Sequence, residues 1–328
     1  MSEEFMDVPT DFDPLSLADW LEASMVVFGM YTVSRSAIAR QWSSGQGPDS
    51  AELDELFGEV QRRTAMFPDL YPFRVVSESV VIPEYIPSPI YFMLILLTFR
   101  GRLIKNPSSL ASITPAFEAL VRDAVLAYIG AGARGVRFGY PSSEGRPKDL
   151  PDAVRWVAEL MGLRAPHVDE LVDKTDNDAG VDVIAWKPLV GGGASFSVWL
   201  VQATVQSDFQ RKGRDVVLRE WGKLIEFGSL PNAALCVPEV VPSDTRARLT
   251  ISYDVHLFLD RLGMLGALSG TPLSDLKEFE GVAKWVREST DVVRRHIEIG
   301  GKTVKRAPKR KPRPMGGASV SASSIAGT

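Results

Sequence analysis

The chain has 328 residues, with 37 Lys+Arg against 41 Asp+Glu, a formal net charge of −4 and 45% hydrophobic residues. That length and balance suit about two domains of ordinary globular chain and exclude global disorder. One cysteine (Cys236) and three dispersed histidines (His167, His256, His296) exclude a disulfide framework and any cysteine-based or local histidine metal motif, and predict a reducing, cytoplasmic setting.

The opening MSEEFMDVPTDFD is acidic, and no apolar stretch with a small-residue cleavage site follows it, so no signal peptide is read. Leu17, Trp20, Leu21 and Met25 then recur at helical spacing behind Ser16 as the expected N-cap. Ser34 starts a second helix, and DSAELDELFGEVQRRT (49–64) reads as a third. Residues 1–72 are therefore expected to form a small N-terminal helical module, a surface for regulation, self-association or a protein partner. Residues 73–114 read as a Pro-punctuated connector and a buried apolar segment. The apolar run Ile90–Phe99 is about half of the roughly 20 residues that span a bilayer, so a buried helix or strand is expected and no membrane partner.

A helix is predicted from Pro115 to Gly130, with Thr114 as N-cap and Phe117, Leu120, Val121, Ala124 and Tyr128 on one stripe. After a helix over 151–161 the apolar period changes from 3.6 to 2. GVDVIAW (180–186) and FSVWLVQATV (196–205) read as strands joined by a hairpin-type loop containing three glycines, 191–193. An amphipathic helix (213–227), a short strand from Asn232 and a C-terminal helix from Pro272 to His296 complete an α/β domain over 115–300. Residues 302–313 hold seven basic residues and no acid, and the Gly/Ser/Ala-rich end after them predicts a disordered basic tail over 301–328. Gly300-Gly301-Lys302-Thr303 lacks the earlier glycine of a phosphate-binding loop, because position 296 is histidine, and it follows a helix rather than a strand.

The chemistry concentrates at Asp182 and Gln202, polar residues inside otherwise apolar strands. An ionised carboxylate in that setting is costly unless it is paired or bound to metal. If the hairpin register sets Asp182 beside Gln202, a carboxylate and an amide oxygen converge, a hard-ligand set suited to Mg2+ or Mn2+. The plainer alternatives stay open: Asp182 as a strand-edge acceptor of backbone hydrogen bonds, Gln202 as a satisfied core amide, and Glu118 as an ordinary helix former.

Phe117-Glu118 through Gly130, Asp178-Ala-Gly-Val-Asp182 and Gln202-Ala203-Thr204 resemble the PD-(D/E)xK nuclease superfamily, most closely Mrr-type restriction-endonuclease catalytic domains. The segment GVDVIAWKP…LVQAT also resembles uncharacterised proteins associated with bacterial anti-phage defence. The resemblance implies an α+β chain in which the N-terminal helical module precedes a restriction-endonuclease-like α/β core with a central mixed sheet flanked by helices. It implies Asp182, Gln202 and the Ala203 carbonyl as metal ligands, with Glu118 as the helical acid orienting the attacking water. Thr204 stands where the family has its lysine. Lys212 is the first substitute for that charge, and Lys187 a weaker one. Arg211, Lys212, Arg214 and the tail residues Lys309, Arg310 and Lys311 would contact a DNA backbone, or RNA, without sequence preference. A metal-dependent endonuclease is thus the expected function, and a catalytically inactive nucleic-acid-binding or assembly subunit the alternative.

Overall fold

The computed structural model describes residues 5–300 except 10–11, 43–46, 84–88, 104–106, 142–144, 173–178, 192, 194–195, 207 and 213–215. The expected tail over 301–328, with Lys309, Arg310 and Lys311, lies outside the described residues, as do Asp178 and Arg214.

The N-terminal part runs α1 (Pro14–Phe28), β1 (Thr32–Ser34), α2 (Arg35–Ala39), α3 (Ser50–Met66), β2 (Arg74–Val76), β3 (Ser79–Val81), α4 (Pro89–Thr98) and α5 (Arg100–Leu103). Asp13, not Ser16, caps α1: its Oδ1 accepts the N–H groups of Leu15 and Ser16, and Pro14 occupies the first turn, where no donor is needed. Ser34 caps α2 as expected, and Asp49 and Glu52 form a reciprocal capping box on α3. The N-terminal part is not purely helical, because β1, β3 and β2 form an antiparallel three-stranded sheet in that order. Strands of three residues are too short to show an alternating pattern, so the sequence shows only a short strand-like piece within 73–89 and not the sheet.

The remainder runs α6 (Pro107–Ile129), β4 (Arg134–Arg137), α7 (Leu150–Met161), α8 (Val168–Leu171), β5 (Val183–Trp186), β6 (Val198–Ala203), α9 (Phe209–Lys212), α10 (Leu218–Leu224), β7 (Asn232–Cys236), α11 (Ser243–Ser252), β8 (Val255–Leu259), α12 (Arg261–Ala267) and α13 (Phe279–Gly300). Here α6 begins well before the expected start and carries Pro115 in its interior. Thr114 is therefore not a cap; its hydroxyl donates to the carbonyl of Leu110 one turn back. The extension buries Ile113 in the core. The helix expected over 213–227 shortens to α10, because the β-branched Val217 takes an extended conformation ahead of it.

Strands β4-β5-β6-β7-β8 form one mixed sheet, antiparallel through β4, β5 and β6 and parallel through β6, β7 and β8. Alternation along the strands supplies two apolar faces. Val183, Ala185, Val201, Ala234 and Cys236 pack with α6, α12 and the N-terminal helices, while Ile184, Trp186, Val198 and Leu200 pack with α7 and α10. The first cluster runs from Met6 to Val286, so the N-terminal helices and the sheet share one core. The chain is an α+β protein whose mixed sheet is flanked by helices.

A buried ionic network ties the N-terminal helices to α12. Glu22 on α1 accepts from Arg63 Nη1 (2.7 Å), Tyr71 Oη (2.6 Å) and Tyr91 Oη (2.5 Å), while Asp19 accepts from Arg63 (2.7 Å) and Arg261 (2.5 Å). Glu22, Arg63 and Arg261 are wholly buried. Removing one partner from such a network strands the opposite charge. Glu22→Ala is expected to lose about 3–5 kcal/mol of stability in denaturant titration.

Candidate active site

The pairing of β5 with β6 runs from Trp186↔Val198 to Val183↔Val201 and sets Asp182 opposite Gln202. Beyond Val183 the two strands part. The N–H of Asp182 still donates to the Val201 carbonyl (2.9 Å), but the next β6 donor, Ala203 N–H, goes to Asp182 Oδ2 (2.7 Å) instead of to a backbone carbonyl. Gln202 Nε2 donates to the same oxygen at 2.6 Å. On the other side, the N–H groups of Phe138 and Gly139, just past β4, both reach the Asp182 carbonyl (2.7 and 3.0 Å). Two residues opposite one is the geometry of a β-bulge, and it re-aims the chain after β4 toward the carboxylate. Phe138 anchors the bulge: it is fully buried, edge-on to Trp221 (5.4 Å between centroids), with the Arg146 guanidinium 4.7 Å from its ring.

Asp182 Oδ2 must face the amide's NH2 edge, so Gln202 Oε1 is turned away from it. That oxygen is buried and has no hydrogen-bond partner among the described residues. An unsatisfied buried amide oxygen is costly and marks a place where a further group belongs.

Gly139 explains how the second acid meets the first. A Cβ at this position would lie 3.2 Å from Asp182 Oδ1 and 3.4 Å from Glu118 Oε2, so the two carboxylates converge on one point that only a glycine leaves open. Glu118 sits in mid-α6 between the buried Phe117 and Ala119. Its Oε2 accepts from Arg137 Nη2 (2.9 Å) and Nε (3.2 Å). Arg137 is 5% exposed and pairs across strands with Val183, whose face packs on α6. Sequence reasoning missed both Gly139 and Arg137. Their signals, a glycine and an arginine just past an apolar helix, carry no recognisable spacing.

The remaining expected residues are placed as follows. Thr204 is buried, its N–H on the Cys236 carbonyl and its hydroxyl accepting from Gln206 N–H (3.1 Å), so it carries no charge into the site. Lys187 Nζ donates to the carbonyl of Ile129 at the C-terminus of α6 (3.4 Å). It lies five residues along from Asp182, roughly 16 Å in extended chain, which removes it as the substitute charge. Lys212 lies half-buried at the end of α9, with Arg211 exposed beside it. Cys236 is fully buried, and burial together with the charge of Asp182 pushes its thiol well above the usual range, so it is no nucleophile.

Asp182 Oδ1 and Glu118, facing each other across Gly139, are oxygen donors of the kind a hard divalent cation takes, but the NH2 edge of Gln202 and not its oxygen meets Asp182, against the expected convergence of a carboxylate and an amide oxygen. No cluster of three or more His, Cys, Asp or Glu suited to a metal is present among the described residues, so such a site would depend on the amide and main-chain oxygens.

Two solved structures are similar. The MspJI restriction endonuclease in complex with a 27-mer oligonucleotide aligns at 13% identity over 64% of this chain and 40% of that one, with a TM-score of 0.33. The restriction endonuclease FokI aligns at 11% identity over 78% and 44%, with a TM-score of 0.21. The chain thus spans less than half the length of either, and at these scores the likeness carries no weight on activity. No family model matches, and neither does any curated protein. No helix among the described residues is long and apolar enough to cross a membrane.

Filling the gap between the two acids tests the donor set. Gly139→Ala is expected to weaken Mn2+ binding by about tenfold or more in calorimetry, as displaced ligand-supporting groups do, with little change in melting temperature. Unchanged Mn2+ affinity would show that the point between the acids holds no cation.

Proposed function

We propose that this chain is a metal-dependent nuclease that hydrolyses DNA phosphodiester bonds at the centre formed by Asp182, Gln202 and Glu118. The observation that carries the reading is the approach of two carboxylates, Asp182 Oδ1 and Glu118 Oε2, to one point at Gly139. Asp182, Gln202 and the Ala203 carbonyl would hold Mg2+ or Mn2+. Such an ion, when bound, neutralises charge on the scissile phosphate and lowers the pKa of a water. The protein's part is orientation. Asp182 is fixed from both neighbouring strands, and Gln202 is fixed by Asp182. Glu118 would accept a hydrogen bond from the attacking water and orient it. Arg211, Lys212, Arg214 and the basic residues at 309–311 would bear on the phosphate backbone, a contact weakened by salt. A role in anti-phage defence is part of this reading, supported by the resemblance of GVDVIAWKP…LVQAT to proteins associated with such defence.

The buried, uncharged Thr204 favours a second reading, a catalytically silent subunit that binds DNA or assembles with a partner. One experiment separates the two. The full chain is incubated with plasmid, single-stranded DNA and RNA, in Mg2+ or Mn2+ and in EDTA. The nuclease reading expects DNA cleavage abolished by EDTA and reduced about 10²-fold or more by Asp182→Ala, with the same variant failing to protect cells from phage. Cleavage indifferent to Asp182→Ala would overturn it. DNA binding at low salt without cleavage would establish the silent subunit.

A further inference from the structure

The chain just past β4 carries more than Gly139. Phe138 before it and Tyr140 after it both touch one guanidinium, that of Arg146, which lies 4.7 and 5.7 Å from their ring centroids. Phe138 is in turn edge-on to Trp221, with 5.4 Å between centroids. Four side chains thus stand in series: Trp221, Phe138, Arg146 and Tyr140. The first three are buried, Arg146 to 7% exposure, and the last opens to solvent at 44%. A charged side chain is seldom buried so far without fixed partners. Here Arg146 Nη1 donates to the carbonyls of Pro147 (2.9 Å) and Lys148 (3.2 Å), which holds the guanidinium in place. A cation over the face of a tyrosine attracts the ring, so Tyr140 is steadied from its buried side.

Position decides what such a ring is for. Tyr140 follows Gly139 directly, about 3.8 Å from Cα to Cα. Gly139 is the point that both acids approach: a Cβ there would lie 3.2 Å from Asp182 Oδ1 and 3.4 Å from Glu118 Oε2. A strand with its phosphate at those acids would carry a neighbouring base past Tyr140. Bases inside a duplex stack on one another and offer no free face. A base in a single strand, or one taken out of the stack, does offer one. Every base has such a face, so the contact would be indifferent to sequence.

We propose, resting on the nuclease reading for the path of the strand, that Tyr140 is a stacking platform for an unpaired nucleobase. The centre then takes single-stranded or locally opened DNA in preference to intact duplex. Arg146 is a positioning residue that holds the platform, and Phe138 and Trp221 anchor Arg146 to the core.

The test measures binding to the full chain by fluorescence anisotropy, in EDTA so that nothing is cut. The probes are a labelled single strand of DNA and the same strand annealed to its complement. The wild type is expected to bind the single strand more tightly than the duplex at low salt. Tyr140→Ala should weaken single-strand binding about tenfold, the size of one lost base–aromatic stack, and leave duplex binding unchanged. Tyr140→Trp should keep the affinity, and its added indole should be quenched by the strand beyond any quenching of the wild type. A ring that only covered Arg146 would move the melting temperature and not the affinity. Unchanged single-strand affinity in folded Tyr140→Ala overturns the inference, as does equal weakening on both probes or a wild type that prefers duplex. Should Tyr140→Ala fail to fold, Tyr140→Trp that binds without added quenching overturns it equally. Wild-type protein that cuts plasmid in Mg2+ but binds no single strand supports the nuclease reading and overturns this inference. Strand binding that depends on Tyr140, with no cleavage in Mg2+ or Mn2+, supports the platform and overturns the nuclease reading.

Discussion

The structure turns on how Asp182 is held where strands β5 and β6 part. Its carbonyl takes two N–H groups from the end of β4, its N–H goes to β6, and its Oδ2 takes both the Ala203 N–H and the Gln202 amide. A side-chain oxygen thus does the work of a backbone carbonyl at the point where the ladder would otherwise leave a donor unpaired. Each of these bonds is worth little net, but leaving any of their buried partners unmade is costly, so the carboxylate has one orientation. The orientation of Gln202 then follows from Asp182, and the stranded position of its Oε1 follows from that.

The consequence reaches beyond the sheet. The bulge after β4 brings Gly139 against Asp182, and α6 brings Glu118 to the same point from the opposite layer. Rigidity there depends on the packing of α6, which lies between the sheet and the helices α12 and α13. The Glu22, Arg63 and Arg261 network locks that outer layer. It joins α1, α3 and α12, and its Asp19 and Arg261 lie 242 residues apart in sequence. Buried ionic clusters contribute little to net stability compared with apolar packing, but they penalise misdocking strongly. Here the penalty falls on any displacement of the layer that supports α6.

Much of the centre was legible in the sequence for one reason: polar residues in apolar strands must be accounted for. Asp182 and Gln202 stand out by that rule, and the antiparallel pairing of their strands follows from the hairpin. The plain reading of Asp182, an acceptor of backbone hydrogen bonds, holds for Oδ2, while Oδ1 faces Gly139 and Glu118. What could not be read depends on contacts between layers. Arg137 looks like an ordinary strand residue until α6 is set against β4. Gly139 becomes informative only once a Cβ there is seen to meet two carboxylates. The extension of α6 through Pro115 ran against local rules, because burial of the preceding turn outweighs a missing helical donor. The three-residue strands of the N-terminal sheet carry too little pattern for any period to show. The buried network is carried by acids and arginines that lie singly along separate helices and meet only when the layers pack.

The most direct measurement is the anomalous diffraction of a crystal of the full chain grown with Mn2+. A manganese peak is expected within bonding distance of Asp182, with Glu118 facing it. A map with no peak there, and with Gln202 Oε1 satisfied by an ordinary water, would contradict a metal-dependent centre at this site.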